Sequence, residues 1–403
     1  MDRRAVLRGL VAVGGVSALA ACLDLADDSD VPTGDPEVRP DRQHAWNDSL
    51  ETDEHGNVLL PEHHVFLSIE YDGDDRETDR KVLSEALRDV ERAYEASNRG
   101  LLFTVGYSSS YFERFDEESP IPPAGRIVSG ENVAIDDADL FIHLASDHAH
   151  VPLAVRETLF GDESELNGVD VPTLSGLFSL RSRRTGFIGR GLPAENDGNL
   201  QGLPEDAVDD EAPTFMNFRA GFRRNQATED DITIETGRFA GGTAQHVEGI
   251  RFNLTEWFDR DLNGQVARLF SPALDGETVG PHGDRLTDHN GVDARSVEEL
   301  KTIANEHGVV GHAQKLARFR DDGRPPLLRR DVNSADNGEA GMMFVSLQRD
   351  IETFVEMRRA MVGTEFVDET PVSERRENGI RQYIRPQRRS NVLITPREMR
   401  ALP

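Results

Sequence analysis

The chain has 403 residues, enough for one large domain or two medium ones. Acidic residues number 74 against 45 basic ones, a net charge of -29 at pH 7 that excludes the basic footprint a nucleic-acid partner requires. Hydrophobic residues make up 37 % of the chain, enough to build a core, so global disorder is excluded as well. Only Lys81, Lys301 and Lys315 are lysines; arginine supplies every other cation. An acidic, lysine-poor chain suits concentrated salt, whose ions screen its self-repulsion.

The first predicted element is a targeting segment. Arg3 and Arg4 precede an apolar run over residues 9–21 that is rich in small side chains. This pattern predicts a twin-arginine export signal over residues 1–22, and the run is too short to span a bilayer. Leu19-Ala20-Ala21-Cys22 reads as a lipobox. Cys22, the sole cysteine, is then the lipidation site, which predicts an extracytoplasmic protein anchored to the membrane by lipid and leaves no intrachain disulfide. Residues 23–60 are rich in Asp, Pro, Gly and His and lack periodicity, which predicts a flexible acidic linker.

The body follows. Residues 64–71 read as a strand, and residues 79–98 carry Val82, Leu83, Ala86, Leu87 and Val90 at helical spacing. Strands are predicted at 101–107 and 139–145, then a helix at 151–160. The second half repeats the theme, with a strand over 241–254, helical stretches around 257–270 and 297–307, a strand at 342–347 and a helix at 351–362. The spacing predicts two α+β halves, residues 61–205 and 206–403, which suits a pair of ferredoxin-like units.

Four segments carry a family resemblance. They are Phe103-Thr104-Val105-Gly106-Tyr107-Ser108; Gly241-Gly242-Thr243 through Ile250-Arg251-Phe252 to Trp257 and Asp259-Arg260; Gly311-His312-Ala313 through Leu328-Arg329-Arg330; and Ala340 through Gln348-Arg349-Asp350. Their order and spacing resemble the dye-decolorizing (DyP-type) haem peroxidases over most of residues 62–403. The resemblance implies an α+β fold of tandem ferredoxin-like halves with antiparallel sheets, a dimeric α/β-barrel-like arrangement with the haem site in the C-terminal half. It also implies haem b as cofactor, hydrogen peroxide as oxidant, a reductant that the sequence does not identify, and a possible homo-oligomer.

Residue by residue, the resemblance makes His312 the iron ligand, a role suited to an imidazole nitrogen. It makes Glu339 the carboxylate that orients that imidazole. It makes Arg330 the distal guanidinium that stabilises charge on the leaving oxygen. The family's distal aspartate, in a G-x-x-D-G setting, falls on Arg184-Thr185-Gly186-Phe187-Ile188-Gly189-Arg190-Gly191. Without a gap Gly189 stands in its place, and with one insertion Arg190 does. Neither exchanges a proton near neutral pH as a carboxylate can. Arg190 is then a candidate partner for a haem propionate, and Glu195 or Asp197 a substitute acid. Two alternatives to a peroxidase follow from the missing aspartate: a haem-binding or haem-iron-handling lipoprotein with little turnover, and a haem-free relic of the fold.

Overall fold

The structure, a computed structural model, describes residues 31–293, 295–321 and 323–403. The export signal and Cys22 lie outside the described residues. Among the described residues, no helix is long and apolar enough to cross a membrane.

The N-terminal half contains β1 (His63–Tyr71), α1 (Arg76–Ala93), β2 (Leu102–Tyr107), β3 (Leu140–Ser146), α2 (His150–Phe160) and β4 (Phe178–Phe187). The Asp75 side chain caps α1 by accepting from the Thr78 amide, and Leu83, Ala86, Leu87, Val90 and Ala93 form its buried stripe. The C-terminal half contains β5 (Thr243–Phe252), α3 (Val297–His307), α4 (His312–Ala317), β6 (Leu328–Arg329), β7 (Val332–Ser334), β8 (Gly341–Gln348), α5 (Ile351–Val362) and β9 (Ile384–Ile394). A capping box at Ser296 and Glu299 starts α3, and the left-handed Gly308 ends it.

The strands run β7-β4-β1-β3-β2-β9-β5-β8-β6, and a further β7–β8 pairing closes the sheet into a barrel. Within each half the spatial order is fourth, first, third, second strand, which is the ferredoxin-like order predicted for the two halves. The halves meet at two thin seams. At one, Tyr107 and Gly106 pair with Leu393 and Ile394; at the other, Phe187 pairs with Asn333.

Phe66, Phe141, Val247, Val332, Met343, Val345 and Val392 fill the barrel interior. On the outside of the N-terminal half, Val65, Leu67 and Ile69 of β1 pack against Leu83, Leu87 and Val90 of α1 and Val151 and Val155 of α2. β1 is therefore covered on both faces, and most of its residues are buried, polar His64 and Ser68 included.

Residues 31–60 are not the free tether that their composition predicts. Trp46 is buried in a cluster with Leu102 and Ala145. The Gln43 carboxamide donates to the carbonyls of Val105 (3.3 Å) and Thr395 (2.9 Å) and accepts from the Val105 amide (3.0 Å). The buried His44 ring meets the Thr233 hydroxyl at 2.8 Å. The segment is an irregular strap. Its polar groups are satisfied by individual side chains rather than by a regular ladder, so no periodicity marks it.

Buried histidines make this fold acid-sensitive. Burial, followed by the charges of Arg330 and Arg42, drives His44 down to about 3. Burial drives His64 to about 3 despite its contact with the Pro61 carbonyl, and drives His143 well below its ordinary value. A depressed imidazole is neutral in the fold and protonates in the unfolded chain below about 6.5, so stability is complete above that pH and falls as pH drops through it. His44 and His64 each remove roughly 2 kcal/mol by pH 5. The melting temperature is expected to be lower at pH 5 than at pH 7.5 at constant salt; equal values at the two pH values would contradict this account.

Candidate functional site

The N-terminal half fills the space between its sheet and helices with aliphatic and aromatic side chains. The C-terminal half leaves a cavity of about 250 Å³ in the equivalent layer. Ile250 and Phe252 of β5 and Met342 and Phe344 of β8 form one wall, with Phe354 and Met357 of α5 and Leu316 of α4 opposite. The connection between the halves supplies further lining from Thr214 to Phe222, together with Ile188.

His312, the first residue of α4, lines this cavity. Its backbone is clamped from two sides. A Cβ on Gly311 would lie 2.0 Å from the Phe270 carbonyl oxygen, so only glycine fits there. Gly379, at φ +61°, packs so closely that a Cβ would approach the His312 Cα to 3.0 Å. Burial, reinforced by the positive charges of Lys315, Arg329 and Arg358, pushes the His312 pKa down to about 3. The imidazole is therefore neutral at working pH, the form a metal requires. Its Nδ1 is buried and has no hydrogen-bond partner among the described residues.

Arg330 does not reach this cavity. The Arg330 amide donates to the Val345 carbonyl at 2.9 Å, which keeps β6 and β7 in one register along β8, with Arg329 opposite Ser346 and Val332 opposite Met343. Side chains along a strand alternate in direction. Arg329, Asp331 and Asn333 accordingly line the cavity. Arg330 points the other way and donates to the His44 carbonyl at 2.6 Å. It also pairs with Glu229 at 3.2 Å and lies 4.1 Å from the Trp46 ring centroid. The arginine expected to be distal is thus a bolt holding the 31–60 strap. Arg330→Ala is expected to cost about 3–5 kcal/mol, as when one partner of a buried pair is removed. Denaturant unfolding would read this; an unchanged midpoint would show that the strap contributes nothing.

Arg329 and Asp331 are the residues that the sequence reading missed. Their side chains form an ion pair at 3.2 Å, and Asp331 also accepts from the Val345 amide at 3.3 Å. Burial raises the Asp331 carboxyl to about 6, against the opposing pull of Arg329. Asn333 is fixed by the Phe215 amide (3.0 Å) and by donating to the Phe187 carbonyl (3.2 Å). The signal available in sequence was the two-residue alternation of Arg329, Asp331 and Asn333 within a strand.

The remaining candidates lie elsewhere. Glu339 pairs with Arg251 at 3.0 Å and lines a separate cavity of about 100 Å³, so it does not orient His312. Its position just before β8 places it beside the last inward-facing residue of β5. Gly189, at φ +150°, and Arg190 do not line the His312 cavity, although the preceding Ile188 does. Arg190 lies at the surface, 3.4 Å from Glu211. Glu195 and Asp197 are likewise absent from the described lining. Trp257 is fully buried against the edge of Tyr383, with ring centroids 5.2 Å apart.

Comparison with solved structures places this arrangement among known folds. A dye-decolorizing protein from Vibrio cholerae superposes with a TM-score of 0.56 at 14 % identity, covering 88 % of this chain and 98 % of that one. A DyP-type peroxidase from Streptomyces coelicolor gives 0.54 at 16 % identity, covering 84 % and 90 %. A variant of DypB from Rhodococcus jostii, in complex with heme, gives 0.53 at 14 % identity, covering 85 % and 96 %. At such identities the likeness establishes the fold: a mixed α+β architecture with a mostly antiparallel, barrel-like sheet. No curated protein matches the sequence significantly. The model of one protein family matches residues 61–396, nearly the whole folded body, and the chain therefore belongs to that family, the family of unknown function DUF7405.

Proposed function

We propose that this chain is a haem-dependent oxidoreductase of peroxidase type that uses hydrogen peroxide. The observation that carries the proposal is the convergence of a neutral, buried His312 with the Arg329–Asp331 pair on one apolar cavity. The residues present fit a haem. A flat apolar macrocycle suits walls of Phe, Met and Ile. A neutral imidazole suits its iron, and Arg219 and Arg320, which also line the cavity, suit its carboxylates. Haem b, when bound, would supply an iron that reacts with peroxide and accepts electrons from the reductant.

In this reading His312 ligates the iron. The Asp331 carboxylate, titrating near pH 6, accepts a proton from hydrogen peroxide and returns it to the departing oxygen. Arg329 donates N–H groups toward the oxygen on which charge develops and holds Asp331 in place. Asp331 thus supplies the acid that is missing at Gly189 and Arg190. Export by the twin-arginine route and anchoring through lipidated Cys22 rest on the N-terminal pattern alone, as does the adaptation to high salt on composition.

The second reading, a haem-handling lipoprotein with little turnover, is favoured by one observation: among the described residues no carboxylate meets Nδ1 of His312. Titration of the protein with haemin in concentrated salt tests both. A sharp Soret band saturating at one haem per chain is the expected result, followed by oxidation of a dye when peroxide is added. Stoichiometric haem without dye oxidation would leave the handling role, and absence of specific haem uptake would remove both.

A further inference from the structure

A chain with only three lysines places one of them, Lys315, wholly inside the fold. Lys315 stands one helical turn after His312 on α4. Its Nζ donates to the carbonyls of Met361 (2.9 Å) and Asn378 (3.0 Å) and to the Asn378 Oδ1 (2.5 Å). Asn378 is itself fully buried and anchored by its amide, which donates to the carbonyls of Val362, Ser373 and Glu374. The site for this side chain is therefore built and rigid.

Three acceptors converge on Nζ, and a neutral amine has only two N–H groups to offer. An ammonium has three. Burial, followed by Arg381, Arg358 and Arg318, pulls the Lys315 pKa well below the usual lysine range, with Glu365 opposing; the hydrogen-bond count nonetheless favours the charged form. Among the described residues no carboxylate contacts Nζ. Glu365 is paired with Arg318, and Glu131 is shared between Arg358 (2.5 Å) and Arg389 (3.0 Å). Arg381 Nη1 is buried without a partner among the described residues. The layer beneath His312 therefore carries more cations than anions.

A metal-bound histidine is ordinarily polarised by a carboxylate on its second nitrogen, which makes the ligand more basic and favours the higher oxidation state. Here that nitrogen has no partner among the described residues, and an ammonium lies one turn away. Resting on the proposed haem reading, we infer that Lys315 is a positioning charge that raises the reduction potential of an iron bound to His312 and so favours the ferrous state. The electron balance is simple: ferric haem takes up one electron from an external donor and its net charge becomes less positive by one. A fixed cation in a low-dielectric interior favours that less positive form. The electron donor that fits such a site is a mild one, because the iron is easy to reduce.

The test is a spectroelectrochemical titration of haem-loaded full-length protein with dithionite and mediators. Lys315→Met and Lys315→Gln are each expected to shift the ferric-to-ferrous equilibrium at least tenfold toward ferric, a fall of about 59 mV for one electron. Gln keeps hydrogen-bond donors without charge, so it reports on charge even if Met disturbs the fold. Lys315→Arg is expected to keep the wild-type potential. An unchanged potential in the neutral variants, with the Soret band intact, would overturn the inference and leave the haem reading standing. Failure of the wild-type protein to bind haem would overturn both.

Discussion

Replacing His312 with alanine is expected to abolish the Soret band and reduce haemin uptake to non-specific levels. His312 is the only histidine on the described lining, and it is neutral. His246, which stacks on Phe354 at 3.8 Å, has Nδ1 bonded to Asn391 at 2.7 Å and does not line the cavity. His44, His64 and His143 are committed to the strap and the adjoining end of the barrel. A His312→Gly variant supplies the control: free imidazole added to it is expected to restore the band, because the ligand nitrogen returns without the chain. A wild-type spectrum in His312→Ala would sink the assignment.

Asp331→Asn is expected to slow the reaction with hydrogen peroxide by about 10²–10⁴-fold while leaving haem bound, the usual range for loss of a general acid–base group. The pH dependence gives the sharper test. Asp331 is active as its carboxylate, so the wild-type rate is expected to rise with pH through about 6 and level off above it. The Asn variant is expected to lose that inflection. Arg329→Leu is expected to lower the same rate by about 10²–10³-fold, as when one charge-stabilising donor is removed. Arg330→Gln should leave it unchanged, because Arg330 faces the strap. A rate that falls with Arg330→Gln but not with Asp331→Asn would restore the original assignment of the distal arginine.

The two arginines show how narrowly a site can be missed. Arg329 and Arg330 are adjacent and chemically identical, and the family resemblance favoured the second. What separates them is strand register. The bond from the Arg330 amide to the Val345 carbonyl fixes which side chain turns toward α4 and α5. A shift of one residue in register exchanges the two faces completely. Glu339 failed for a related reason. It stands near the right strand in sequence, but at the end of β8 where Arg251 of β5 claims it.

The sequence by itself determined the two α+β halves and the segment that carries His312, because hydrophobic periodicity and motif order are local properties of the chain. The tertiary structure alone decided that Asp331 joins Arg329 in the cavity of the C-terminal half. It also decided that residues 31–60 bind the body through Gln43, His44 and Trp46, and that Lys315 lies buried below His312. These facts depend on contacts between residues far apart in the chain, on strand register and on the direction of single side chains. Composition and spacing carry no record of them.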